Sequence, residues 1–205
     1  MKTIVVVGVG ALGSHVVMLL RNTDAVLKVI DFDRVEQRNV ASQFHGKPNV
    51  GKGKCGSIQQ TMNFLFGKRI EIVPHKLTSE NDEQLLSSAD LVLDCLDNGA
   101  ARRIIQKYVR EPFGSVNAVT NMKGVSSLPC LHGALDAEGS FGRVVWDENF
   151  KIDDETTTGA ATCEDGAHLP FIAVTASYIA YAAQQFLKSG RKIGFEITPG
   201  GAIRT

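Results

Sequence analysis

The chain has 205 residues, enough for one large domain, and 43% of them are hydrophobic, as expected of a globular protein with a substantial core. Its 22 basic and 22 acidic residues cancel. That balance excludes a strong electrostatic pull toward nucleic acid or a membrane surface, and neither is expected as a partner. No leader is read ahead of the first strand, so a cytoplasmic location is expected.

Residues 4–7 (Ile-Val-Val-Val) read as a buried parallel strand. Gly8, Gly10 and Gly13 follow as Gly-Val-Gly-Ala-Leu-Gly, opening an apolar helix over 12–20. Residues 28–33 (Lys-Val-Ile-Asp-Phe-Asp) read as a second strand ending in acid. Together they make a nucleotide-binding strand–loop–helix–strand unit. Gly8 serves the tight turn, Gly10 lets backbone approach a phosphate, and Gly13 lets the helix sit close on the strand. The helix start offers free N–H groups and the positive end of its dipole. Asp31 stands where such units place the carboxylate that binds ribose.

A polar stretch over 33–43 and a glycine-containing loop over 44–53 lead to a helix over 54–66. A strand at 70–74, a short helix at 81–88, a strand at 90–96, a helix at 100–110 and a strand at 115–119 continue the alternation. This order predicts an α/β fold, a doubly wound Rossmann-like parallel sheet covered on both faces. Beyond residue 120 the pattern changes to a smaller antiparallel C-terminal portion. Strands at 125–130 and 143–146 flank a turn at 137–140, and a polar threonine-rich crossover loop fills 151–168. A long apolar helix over 170–187 and a strand at 193–198 follow. Its polar residues, among them Thr175, Tyr181, Gln184 and Gln185, make that helix a core or dimer-interface element rather than a membrane span. Gly200-Gly201 reads as a turn. We expect a single domain over 1–205, with a nucleotide-binding core at 1–120.

Cys55, Cys95, Cys130 and Cys163 are scattered singly, with no Cys-x-x-Cys pair, so neither a zinc site nor a disulfide framework is expected. Each reads first as a small buried apolar residue.

Four further features follow the glycine loop in order. They are Asp31-Phe-Asp33 running to Asn39 and Gln43; Lys54 at a helix start; Asp94-Cys-Leu-Asp97-Asn98 with Arg102 a turn later; and Thr162-Cys163-Glu164-Asp165-Gly166 before the long helix. Singly, Lys54 reads as a solvated helix lysine and Asp97 as a helix N-cap. In this order the set resembles the ThiF/MoeB/HesA-like adenylyltransferase family, relatives of the ubiquitin-activating enzymes, over residues 2–105 and again over 160–188.

The resemblance implies an enzyme that uses ATP and Mg²⁺ to activate the C-terminal carboxylate of a small ubiquitin-like or sulfur-carrier protein as an acyl-adenylate. It implies nucleotide contacts at Gly8, Gly10, Ala11, Leu12, Gly13, Asp31, Asp33, Asn39, Gln43, Lys54, Asp97, Asn98 and Arg102. Lys54 would neutralise phosphates, and Asp97 would hold Mg²⁺. Arg102 is the weaker member, with an ion pair to a nearby carboxylate as its alternative. Cys163 stands where relatives often carry a thiol that takes the acyl group. The family also implies a homodimer.

The chain departs from the family pattern at Ser42, which occupies a position usually held by arginine; Arg34 or Arg38 could compensate. The Cys-x-x-Cys zinc pairs of many bacterial members are missing, and Cys130-Leu-His132 does not make a site. Other readings stay open: a non-catalytic partner subunit, adenylation of a small-molecule or tRNA-attached carboxylate, and an NAD-dependent oxidoreductase.

Overall fold

A computed structural model describes residues 1–110, 127–136, 138–152 and 166–205. Strand β1 (Lys2–Val7) leads through α1 (Ala11–Leu19) to β2 (Ala25–Ile30). Helix α2 (Lys54–Phe66), β3 (Glu71–Val73), α3 (Asp82–Leu86), β4 (Leu91–Asp94) and α4 (Gly99–Arg110) follow. Then come β5 (Cys130–Leu135), β6 (Gly142–Trp146), α5 (Leu169–Ser189), β7 (Phe195–Thr198) and β8 (Gly201–Arg204). The strands form one sheet in the order β3-β2-β1-β4-β5-β6-β7-β8. Pairings from β3 to β5 are parallel, and those from β5 to β8 are antiparallel.

The unbroken apolar run of β1 follows from burial on both faces. Ile4 and Val6 join the core formed with α1, α2 and α5, whereas Val5 and Val7 join the core formed with α3 and α4. Helix α5 turns Ile172, Ala176, Ile179 and Ala183 inward, all 0% exposed, and packs on α1. Gly190, at φ 72°, ends it in a left-handed cap. Among the described residues, no helix is long and apolar enough to cross a membrane.

From β1 the chain builds outward to β2 and β3 on one side and returns to β4 on the other. The loops after β1 and β4 therefore diverge at their carboxyl ends, and such a crevice is where sheets of this kind bind ligands.

Several boundaries differ from the sequence reading, three of them by more than a trimmed end. The acidic strand predicted over 28–33 spans Ala25–Ile30, so Asp31 begins the loop. The strand predicted over 125–130 is instead Cys130–Leu135, pairing parallel with β4 and antiparallel with β6. His132 and Gly133 break its apolar pattern, but Asp94 partners the imidazole at 2.7 Å. Gly201 opens β8 rather than closing a turn. The strand expected over 115–119 and most of the crossover loop lie outside the described residues.

Candidate active site

The glycine loop is built as its spacing demands. Gly8 has φ 85°, and its N–H donates to Ile30 O at 2.9 Å. A Cβ on Gly13 would lie 1.8 Å from Gly8 O, so only glycine lets α1 come this close to the loop. Gly10, the N-cap of α1, is different: among the described residues the only atom within 4 Å of a Cβ there would be Gln43 Nε2, at 4.0 Å. Ala11, Leu12 and Gly13 supply the first-turn N–H groups, which have no acceptor within the helix.

Asp31 supports this loop from the next strand end. Its Oδ2 accepts from Val9 N at 2.8 Å and its Oδ1 from Asp33 N at 2.8 Å. Burial pushes the carboxyl above its ordinary range, against the opposing pull of those N–H donors and of Lys54.

A segment that the sequence reading did not single out braces the other side. His45 Nε2 lies 2.8 Å from Val9 O, and Nδ1 lies 3.0 Å from Ser57 Oγ. A carbonyl can only accept, so Nε2 carries the proton and Nδ1 accepts from the serine. Burial pushes the imidazole down to about 4, so His45 is neutral near pH 7. His15 Nε2 donates to Ser42 O at 3.1 Å, and Ser14 Oγ accepts from Phe44 N at 2.9 Å. Gln43 sits between these two pins with its side chain beside Gly10. Among the described residues its Oε1 is buried without a hydrogen-bond partner.

Lys54 opens α2, is 8% exposed, and places Nζ 3.0 Å from Asp33 Oδ2. Asn39 is buried, and its Oδ1 accepts from Glu36 N at 2.8 Å in a capping box. Arg34 donates to Gly51 O at 2.7 Å, and Arg38 pairs with Glu36 at 2.7 Å. Ser42 is 1% exposed.

At the end of β4, Asp97 and Asn98 are exposed. The capping role considered for Asp97 belongs to Asn98, whose Oδ1 accepts from Ala101 N at 2.8 Å. Arg102 is buried. Its Nε donates to Leu96 O at 3.1 Å and its Nη2 to Gly133 O at 2.8 Å, with Asp94 Oδ2 at 3.8 Å. Its guanidinium is therefore committed to the loop backbone and a buried carboxylate, the alternative weighed against nucleotide contact.

Cys163 lies outside the described residues. Cys55, Cys95 and Cys130 are buried, and burial raises all three thiols, Cys55 to about 12. None is poised as a nucleophile. Among the described residues, no group of three or more His, Cys, Asp or Glu side chains could hold a metal.

A glycine loop, an acidic strand end and an open helix N-terminus at a topological switch point define a nucleotide-site architecture on an α/β sheet. The chain belongs to the ThiF family, whose profile matches residues 1–196. Over 143 residues it is 33% identical to the sulfur carrier protein adenylyltransferase of Thermus thermophilus, covering 65% of this chain and 52% of that protein. Over 144 residues it is 35% identical to the adenylyltransferase and sulfurtransferase MOCS3 of Anopheles gambiae, covering 63% of this chain and 32% of that protein. The chain thus spans about half or less of the length of these relatives. Among solved structures, E. coli MccB with succinimide superposes at a TM-score of 0.75 and 15% identity, covering all of this chain and 62% of that one. PaaA superposes at 0.71 and 15%, covering all of this chain and 64% of that one. These likenesses bear out the expected family and fold.

Proposed function

We propose that this chain is an ATP-dependent adenylyltransferase acting on the C-terminal carboxylate of a small ubiquitin-like or sulfur-carrier protein. The observation that carries the reading is the face of Gly10, open among the described residues, beside the Gln43 Oε1, which has no partner among them. A buried amide oxygen without a partner costs about 1–3 kcal/mol, and a bound ligand donor would remove that penalty. Asp31, facing the same loop, suits ribose hydroxyls, and Lys54 suits phosphate. The Thermus thermophilus relative, named for sulfur-carrier adenylation, supports the choice of substrate class.

A carboxylate is a poor electrophile, and its adenylation requires attack at the α-phosphorus with departure of pyrophosphate. The N–H groups opening α1 and the Lys54 ammonium oppose charge on the phosphates. Mg²⁺, when bound, would neutralise the same charge. Asp97 fits it in kind, because this ion keeps waters and phosphate oxygens as ligands and needs only one or two carboxylates. We assign nucleotide contacts to the Gly8–Gly13 loop, Asp31, Asp33, Asn39, Gln43, Lys54, Asp97 and Asn98, and place Arg102 behind them as a support.

Thiol transfer through Cys163 and assembly as a homodimer extend the same reading. Gly166, the first described residue beyond 153–165, packs on the Gln37–Ala41 turn, where a Cβ would lie 3.0 Å from Ala41 Cβ.

The test is ATP–pyrophosphate exchange with a small protein ending in a free di-glycine carboxylate, on the wild type and on Lys54→Ala and Asp97→Ala. Exchange that needs the carrier and is lost in both variants is expected. ATP binding without exchange would favour the partner-subunit reading, which the buried Ser42 at the usual arginine position supports. Binding of NAD⁺ and not ATP would overturn the reading.

A further inference from the structure

Behind the site lies a buried charge cluster that the proposed chemistry does not use. His132 is 0% exposed, with Nδ1 2.7 Å from Asp94 Oδ2 and Nε2 3.0 Å from Asp147 Oδ1. Both ring nitrogens face carboxylates, so both donate and the ring is an imidazolium. Phe150 stacks on it at 4.1 Å and 3°, fixing its plane. Asp147 is held in turn by Arg110 Nε at 2.6 Å and Gln106 Nε2 at 3.0 Å. Burial lowers His132, but the Asp147 and Asp94 carboxylates facing its two nitrogens outweigh it and hold the imidazole above its ordinary value.

We propose that His132 is a positioning residue for the loop between β4 and α4, acting through Asp94 and Leu96 on the exposed carboxylate of Asp97. The inference rests on the reading of Asp97 as the Mg²⁺-binding group. With Oδ2 of Asp94 bound to His132, Oδ1 is turned to accept from Leu96 N at 3.0 Å. Arg102 takes Leu96 O, so the residue preceding Asp97 is held at both its N–H and its carbonyl. On the far side Asn98 is fixed by capping α4. Asp97 projects from a loop fastened at both ends. A site with a single protein carboxylate has no second ligand to correct a misplaced first one, so its geometry depends on this backing. His132 takes no direct part in proton transfer, because it is fully buried and both its nitrogens already donate.

The experiment uses the full chain as wild type, His132→Gln, Arg102→Lys and Asp97→Asn. It measures Leu96 amide exchange by NMR, ATP affinity in EDTA by calorimetry, and the Mg²⁺ concentration giving half-maximal tightening of ATP binding. In His132→Gln, Leu96 exchange accelerates about tenfold or more, and the Mg²⁺ requirement rises about 10–100-fold. ATP affinity in EDTA stays within about twofold, since the glycine loop is untouched. Arg102→Lys keeps the charge beside Asp94 and loses the guanidinium fork. It shows the same split and carries the test if His132→Gln does not fold. An unchanged Mg²⁺ requirement with only a lowered melting temperature would overturn the proposal, leaving His132 a stability element. Weaker ATP binding in EDTA would also overturn it, moving the effect to the nucleotide itself. An unchanged requirement in Asp97→Asn would overturn the metal assignment, and the proposal with it.

Discussion

Asp31 and His45 hold the same residue from opposite sides. The carboxylate accepts the N–H of Val9 at 2.8 Å, and the imidazole donates to its carbonyl at 2.8 Å. Val9 sits between Gly8 and Gly10, so the loop to which we assign nucleotide contact is braced by two elements distant in sequence. His45→Gln should weaken ATP binding about tenfold, or about 1.4 kcal/mol, through a loosened loop. Calorimetry of wild type and variant checks this.

Histidines set opposite limbs of the pH–stability curve. His45 falls from 6.5 to about 4 on folding, so the unfolded chain binds more protons between those values. Its contribution is complete above pH 6.5 and is lost as pH falls through 4, a difference of about 3 kcal/mol. His132 is raised above 6.5, so its contribution is complete below pH 6.5 and is lost as pH rises through its folded value. Denaturant melts from pH 4 to 10 should show both limbs. His45→Gln should flatten the acid limb and His132→Gln the alkaline one.

Two glycines of one motif should fail differently when changed to alanine. At Gly13 the new Cβ would lie 1.8 Å from Gly8 O, forcing α1 off the loop. Overpacking of this kind costs about 1–3 kcal/mol or more, visible as a lowered melting temperature. At Gly10 the nearest atom among the described residues would be Gln43 Nε2 at 4.0 Å, so the fold should tolerate the methyl within about 1 kcal/mol while ATP binding falls.

Removing the Lys54 ammonium deletes the charge proposed to face phosphate and leaves Asp33, which is half exposed, in water. Lys54→Ala should cost about 1.5–3 kcal/mol of ATP affinity, roughly 10–150-fold, with a small change in melting temperature.

Thiol labelling separates the cysteines. Cys55, Cys95 and Cys130 are buried with raised thiols and should resist a soluble reagent while the chain is folded. A covalent adduct formed during turnover should therefore map to Cys163 by mass spectrometry and vanish in Cys163→Ser.

The first half of the sheet was legible in the sequence because local signals agreed. The Ile4–Val7 run could only be a strand buried on both faces, the glycine spacing named the loop after it, and residues 54–66 matched α2 end to end. What escaped depends on partners remote in sequence. His132 made β5 look interrupted, because the Asp94 that neutralises it lies 38 residues earlier. His45 looked like a loop residue, since its bond to Val9 O spans 36 positions. The edge strand β8 has mostly exposed positions and no apolar alternation to announce it. For Arg102 both a ligand contact and an ion pair stayed open, because sequence order cannot tell a guanidinium facing a crevice from one folded back on Leu96 and Asp94.

Val9 and Leu96 are each held at both amide and carbonyl, so the loops on either side of the crevice are fastened by the protein itself, without help from the proposed nucleotide. Such loops have little configurational entropy left to lose on association. Weakening either clamp should leave capture rates almost unchanged and shorten the residence time of the bound nucleotide, placing the damage in dissociation.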